Sequence, residues 1–125
     1  MLREAGVMPT IPTRDLNRAR QFYETVLGFA PSDDSPEGII FGTEPGKQFF
    51  LYQTQFAGTA QHTLLTWDVP DIHTEITDLR RRGVIFEEYD YPELKTVDGI
   101  AFVGNEWAAW FKDMDGNILA VSQRT

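Results

Sequence analysis

Two histidines, His62 and His73, and a scattered set of carboxylates are all this sequence offers for proton transfer, and it contains no cysteine. Without thiols there is no cysteine nucleophile, no thiolate zinc site and no disulfide framework. A Gly-x-Ser-x-Gly elbow, a phosphate-cradling glycine loop, a dinucleotide fingerprint and a His-Glu-x-x-His helix are all missing. Asp113-Met-Asp-Gly-Asn117 opens like a calcium loop but lacks the later spaced acidic ligands, so it reads as a hairpin turn. His73 follows Ile72 by one position, off the apolar stripe of its helix, and is expected to face solvent.

His62 has two readings. It is either a strand-end histidine without chemistry, or a group that donates a hydrogen bond or shuttles a proton at a cavity mouth. A pair with Asp68 is not expected, because six residues along a strand span about 20 Å. The carboxylate that would join His62 in acid/base work is Glu106, with a tyrosine as a further candidate. The aromatic residues Phe50, Tyr52, Tyr89, Tyr91, Phe102, Trp107 and Trp110 lie in strands or in an expanded segment of the second half, and any one of them is best read as core packing.

The elements that must position these groups appear twice. After Asp15, apolar residues at Leu16, Ala19, Phe22, Tyr23, Val26 and Leu27 form one helix face, closed by Gly28. After Asp71 the stripe returns at Ile72, Ile76 and Leu79, closed by Gly83, with Arg80, Arg81 and Arg82 in the last turn where cations offset the helix dipole. Each helix follows a strand-like segment, Thr10 to Thr13 and His62 to Val69. Residues 38–53 align without a gap on residues 108–123, each as strand, tight turn, strand. The helix starts are offset by 56 residues and the hairpins by 70, which places a 14-residue expansion between Val84 and Trp107. Ser32 to Glu37 reads as a polar hairpin loop, and Gln55 to Gln61 as the joint between the copies.

The spacing thus predicts an α+β fold of tandem βαβββ modules, about 6–55 and about 60–123, in a single domain over residues 1–125. Helix one should run from Leu16 to Leu27 and helix two from Ile72 to Arg82. Leu16, Phe22, Val26, Leu65, Trp67, Ile76 and Leu79 should form the helix-to-sheet core.

With 11 basic and 19 acidic residues the net charge is −8, which disfavours phosphate backbones and anionic membranes as partners. No apolar run approaches the roughly 20 residues needed to span a bilayer. Met1 to Met8 carries Arg3 and Glu4 and does not read as a signal peptide. A soluble cytoplasmic protein is the expectation.

The stretch Ile11-Pro-Thr-Arg-Asp-Leu-Asn-Arg-Ala-Arg-Gln-Phe-Tyr-Glu-Thr-Val-Leu-Gly28 resembles the opening of the vicinal oxygen chelate superfamily, which includes glyoxalase I, bleomycin-resistance proteins and extradiol dioxygenases. Trp110-Phe-Lys-Asp-Met-Asp-Gly-Asn-Ile-Leu119 resembles its closing hairpin, with Met114 where proline is usual, and the helix from Asp71 to Gly83 matches as well. The resemblance implies a cup-shaped, curved mixed sheet with helices on its outer face, and a homodimer. It also implies metal-ligand positions at Met8, Leu64 and Ala120, with Phe50 at the matching place in the first hairpin. Three of these side chains have no donor atom and Met8 offers only a soft thioether, so no metal and no cofactor are expected.

The cup would instead be apolar and aromatic, the usual form of a small-molecule pocket. Its expected lining is Met8, Thr10, Phe50, Tyr52, His62, Leu64, Thr66, Trp107, Trp110, Ala120 and Ser122, with Gln48 and Glu106 as further polar groups. Two readings follow. One is a metal-independent binding protein for an apolar or aromatic ligand, as in the resistance proteins. The other is an enzyme, either a glyoxalase-like lyase or isomerase or a dioxygenase, with a non-standard metal or acid/base site using His62 and Glu106.

Overall fold

The computed structural model describes all 125 residues and divides into two compact units, Met1–Gly58 and Thr59–Thr125. In the first, β1 (Thr10–Thr13) leads into α1 (Leu16–Arg20) and its π-helical continuation (Gln21–Val26), then β2 (Pro31–Ser35), β3 (Gly38–Phe41) and β4 (Phe49–Gln53). In the second, β5 (Thr63–Asp68) and α2 (Ile72–Arg81) are followed by a small hairpin, β6 (Asp90–Tyr91) and β7 (Leu94–Lys95). The unit closes with β8 (Ala101–Val103), β9 (Glu106–Lys112) and β10 (Ile118–Arg124).

Sheet one runs β1-β4-β3-β2 and sheet two β5-β10-β9-β8. In each, the first and last strands of the unit pair in parallel and the others pair antiparallel. A parallel pair needs a crossover connection, and each unit supplies it through its helix. The fold is α+β with two helices and mixed sheets, and the duplication legible in the sequence recurs as strand order.

Both helices start where an aspartate stands ready to cap them. Asp15 accepts hydrogen bonds from the backbone N–H groups of Asn17 and Arg18 at 3.0 and 3.2 Å, and Asp71 accepts from Thr74 at 3.2 Å. Gly28 and Gly83, with φ of 83° and 100°, supply the left-handed turn that ends each stripe.

The core of unit one is Ala19 and Tyr23 against Ile11, Ile39, Phe41, Phe49 and Leu51. The Tyr23 ring lies 5.4 Å from Phe49 and 5.8 Å from Phe41. In unit two, Ile72, Ile76 and Leu79 are buried with Ala109, Phe111, Leu119 and Val121. The expected core therefore holds for Ile76 and Leu79, whereas Leu16, Phe22, Val26, Leu65 and Trp67 are only half-buried. Past Arg20 the helix widens, with Leu27 N–H bonding Phe22 O at 3.0 Å, so an apolar stripe of period 3.6 no longer maps onto one face. Leu65 and Trp67 lie on edge strand β5, while α2 packs on β10 and β9.

Two further expectations change. Of the expected loop Ser32 to Glu37 only Pro36 and Glu37 form the hairpin turn; Pro31–Ser35 is the edge strand of sheet one, because an edge strand can pair on one side while its polar side chains stay in water. The expansion in the second half interrupts the corresponding edge of sheet two. Phe86 bridges to Phe111 where Pro31 pairs with Phe41, and Ala101 pairs with Ala108 where Ser35 pairs with Gly38. The β6–β7 hairpin lies between these two points of contact in the chain.

Candidate functional site

Each sheet turns one face to its helix and leaves the other open. Strand alternation assigns Thr10, Pro12, Phe50, Tyr52, Ile40 and Gly38 to the open face of sheet one, since Ile11, Thr13, Phe49, Leu51, Ile39 and Phe41 face the helix. Phe50 and Tyr52 stack there at 6.2 Å. A β-carbon at Gly38 would stand 2.6 Å from the Phe50 ring and would also strike the Leu51 carbonyl. Gly38 therefore lets the ring lie across its own strand. Met8 precedes β1, is exposed, and accepts a hydrogen bond from the Thr10 hydroxyl through its carbonyl at 3.5 Å. Gln48 is occupied with Gly42 O at 3.0 Å.

The open face of sheet two is more elaborate. Trp110 pairs with Ala120, which pairs with Thr66; one step along, Ala108 pairs with Ser122, which pairs with Asp68. Ala108, Ala120 and Ser122 are small and buried, leaving Trp110 as the only aromatic side chain that this sheet's strands put on the open face. The indole N–H donates to the Thr63 hydroxyl at 3.1 Å. Tyr89 meets Trp110 edge-on at 5.6 Å, and Tyr91 stacks on Tyr89 at 6.0 Å. Burial, and then the neighbouring Glu87 carboxylate, push the Tyr89 phenol above its usual range, so it stays neutral and able to donate. The expansion thus delivers two tyrosines to the face that carries Trp110.

That hairpin is held from both sides. Glu88 accepts from the Thr96 hydroxyl at 2.6 Å and from Gly99 N–H at 3.0 Å. These bonds, the Thr96 one foremost, hold its carboxyl below the ordinary range. Arg80, at the end of α2, donates to Asp98 O at 2.9 Å and lies over the Phe86 ring at 5.5 Å. It anchors the expansion as well as facing the helix dipole.

Several expected site residues are placed elsewhere. Trp107 shares a face with Ala109 and Phe111, opposite Trp110, and meets Phe102 at 4.7 Å. An odd separation along a strand puts two side chains on opposite faces. Leu64 falls where the β5–β10 register shifts, between Thr63 opposite Ile118 and Leu65 opposite Leu119, so alternation does not carry through it. His62 is exposed before β5, with Nδ1 3.2 Å from the Thr63 carbonyl.

Glu106 pairs in register with Arg124 and accepts its guanidinium hydrogen bond at 3.0 Å. It borders an open groove of about 510 Å³ beside the β8–β9 turn. Thr63 and Arg124 mark opposite ends of sheet two, roughly 20 Å apart along β10. His62 and Glu106 therefore do not form one acid/base site. Thr63, missing from the expected lining, belongs with Tyr89 and Asp68 to the face that Trp110 occupies.

The metal implied by the resemblance does not fit the donors present. Phe50, Leu64 and Ala120 supply no lone pair, Met8 supplies only sulfur, and no three His, Asp or Glu side chains gather where they could hold an ion.

A repeated strand–helix–three-strand unit, with one helix and one mixed sheet in each copy, defines a class of duplicated α+β proteins. The chain belongs to the Glyoxalase/Bleomycin resistance protein/Dioxygenase superfamily, whose sequence profile matches residues 7–121. No curated protein sequence matches it significantly. Solved structures similar to it include a glyoxalase/bleomycin resistance protein/dioxygenase from Nocardioides, at 22% identity and TM-score 0.67, over 98% of this chain and 84% of that one. The antibiotic-binding protein TnmS3 from a Streptomyces species is similar at 21% identity and TM-score 0.64, over 98% of each chain. A lactoylglutathione lyase from Agrobacterium tumefaciens is similar at 17% identity and TM-score 0.67, over 96% of this chain and 93% of that one.

Proposed function

We propose that this protein is a metal-independent small-molecule-binding member of the superfamily, and that it holds an apolar or aromatic ligand against the open face of sheet two. The observation that carries the reading is the Tyr91–Tyr89–Trp110 array. The array ends on an indole that is fixed by Thr63 and flanked by the small side chains of Ala108 and Ala120. Aromatic rings pre-set in this way offer edge and face contacts, each worth about 0.5–1.5 kcal/mol beyond area burial. The antibiotic-binding activity named for one structural neighbour supports a binding role. The family profile runs through both units, which supports treating residues 1–125 as one domain.

The enzyme reading draws support from the lactoylglutathione lyase among the neighbours. It lacks a joint His62–Glu106 site, and the donor chemistry at the family's metal positions does not favour it.

The test is a tryptophan-fluorescence titration with acridine, a neutral planar aromatic compound at mildly alkaline pH. Quenching that saturates in the native protein and in Trp107→Phe, but is lost in Trp110→Ala, is the expected result. Undiminished binding by Trp110→Ala would place the ligand elsewhere.

A further inference from the structure

Among the charged groups on the open face of sheet two, Asp68 is the only one with no ionic partner. Lys112 is held by Glu87 at 3.4 Å and Arg124 by Glu106 at 3.0 Å. No Lys, Arg or His nitrogen comes within 4.0 Å of the Asp68 carboxylate, and its one hydrogen bond, at 2.7 Å to Oδ1, comes from the hydroxyl of Ser122. Ser122 is itself 3% exposed, so this bond fixes the carboxylate from below while Asp68 remains open to solvent. Oδ2 is left free to accept.

The position of this carboxylate relative to the aromatic array is set by register. Asp68, Ser122 and Ala108 form one cross-strand row, and Thr66, Ala120 and Trp110 form the next. Adjacent same-face rows are two residues apart, about 7 Å, and Asp68 and Trp110 also stand two strands apart, about 10 Å across the sheet, so the diagonal between them is about 12 Å. A fused three-ring system, met by the reach of the two side chains, spans that diagonal.

We infer that the ligand is a planar aromatic cation, with its ring against Trp110 and its positively charged nitrogen donating to Asp68 Oδ2. This rests on the reading of the sheet-two face as the binding site and adds the charge that the site selects. The indole and phenol faces carry negative quadrupole density and favour a delocalised cation over a neutral ring. The net charge of −8 draws such a ligand towards the protein and repels an anionic analogue.

The experiment compares three probes on one ring system at mildly alkaline pH: 9-aminoacridine, which is protonated, acridine, which is neutral, and acridine-9-carboxylate, which is anionic. Each is titrated into the native protein and into Asp68→Asn, with affinity read from tryptophan quenching and from calorimetry. The native protein should bind 9-aminoacridine about tenfold more tightly than acridine, a typical gain for a charge-assisted hydrogen bond, and the carboxylate most weakly. Asp68→Asn should remove the preference for the cation and leave acridine binding unchanged, and added salt should weaken only the cation. Equal affinity of the native protein for all three probes, or equal weakening of all three by Asp68→Asn, would overturn this inference while the binding reading stands. Failure of every probe to bind would overturn both.

Discussion

The indole N–H of Trp110 reaches across β10 to the hydroxyl of Thr63, 3.1 Å away, because the residue paired with Trp110 on β10 is Ala120. β9 and β5 flank β10, so a side chain crossing between them must pass over whatever β10 presents. Alanine leaves that path clear. The position at which the family resemblance implies a metal ligand is thus one where a small side chain lets a neighbouring ring lie down.

Ala120→Leu should therefore displace the indole. Inserting a branched side chain at a site that is 3% exposed costs about 1–3 kcal/mol of stability through overpacking. Loss of the Thr63 bond should show as a change in tryptophan emission, and acridine quenching should fall with it. Urea denaturation and the titration together check this; an unchanged emission spectrum would mean that the ring does not depend on Ala120.

A similar relation governs sheet one. Gly38→Ala places a β-carbon against the Phe50 ring, at 2.6 Å, and against the Leu51 carbonyl. The expected loss is about 1–3 kcal/mol, as for other overpacked sites. Combining it with Phe50→Ala should recover only part of that loss, because the ring can be removed and the carbonyl cannot. A double-mutant cycle from chemical denaturation measures the recovered part; full additivity would show that ring and glycine do not interact.

What the sequence disclosed follows from which interactions are local. Asp15 and Asp71 announce both helices because a cap bonds within three residues of itself, and the hairpins announce themselves through Pro45-Gly46 and Asp115-Gly116. The faces of the strands were less legible. The opposition of Trp107 and Trp110 follows from their odd spacing and was available to strand parity. The shift at Leu64, by contrast, has no residue signature. The Thr63–Trp110 bond joins residues 47 apart, and the Ser122–Asp68 bond joins residues 54 apart. Such pairs become visible only once register is known. Tyr89 was legible as an aromatic residue of the expansion, but its place beside Trp110 depends on how the β6–β7 hairpin folds back.

Metal addition should leave the protein indifferent. A ligand that binds only the folded state raises the melting temperature in proportion to the logarithm of its concentration over its dissociation constant. With Phe50, Leu64 and Ala120 lacking donors, millimolar Zn²⁺, Ni²⁺, Mn²⁺ or Fe²⁺ should leave Tm unchanged in a differential scanning experiment. A saturable rise with any one of them would restore metal-dependent chemistry to consideration.

The aromatic hairpin should loosen in acid before the rest of unit two. The Glu88 carboxylate is held below its ordinary range by the Thr96 hydroxyl, then by Gly99 N–H, with Arg80 adding a smaller attraction. A depressed folded-state pKa means the ionised form favours the native hairpin. Its contribution is fully present above the unfolded-state value and is lost as pH falls through the lower folded-state value. Protonation weakens Glu88 as an acceptor for both donors and releases the turn at Asp98-Gly99, which Arg80 also holds. Amide exchange at Tyr89, Gly99 and Thr96 should therefore accelerate, relative to Leu119 and Val121 in the sheet, as pH drops below the usual carboxylate range. Glu88→Gln should show fast exchange at these amides already at neutral pH, with no further acceleration in acid. Acridine binding should weaken in that variant as Tyr89 leaves the edge of Trp110. Exchange at these three amides that tracks the sheet at every pH would show that Glu88 does not hold the hairpin.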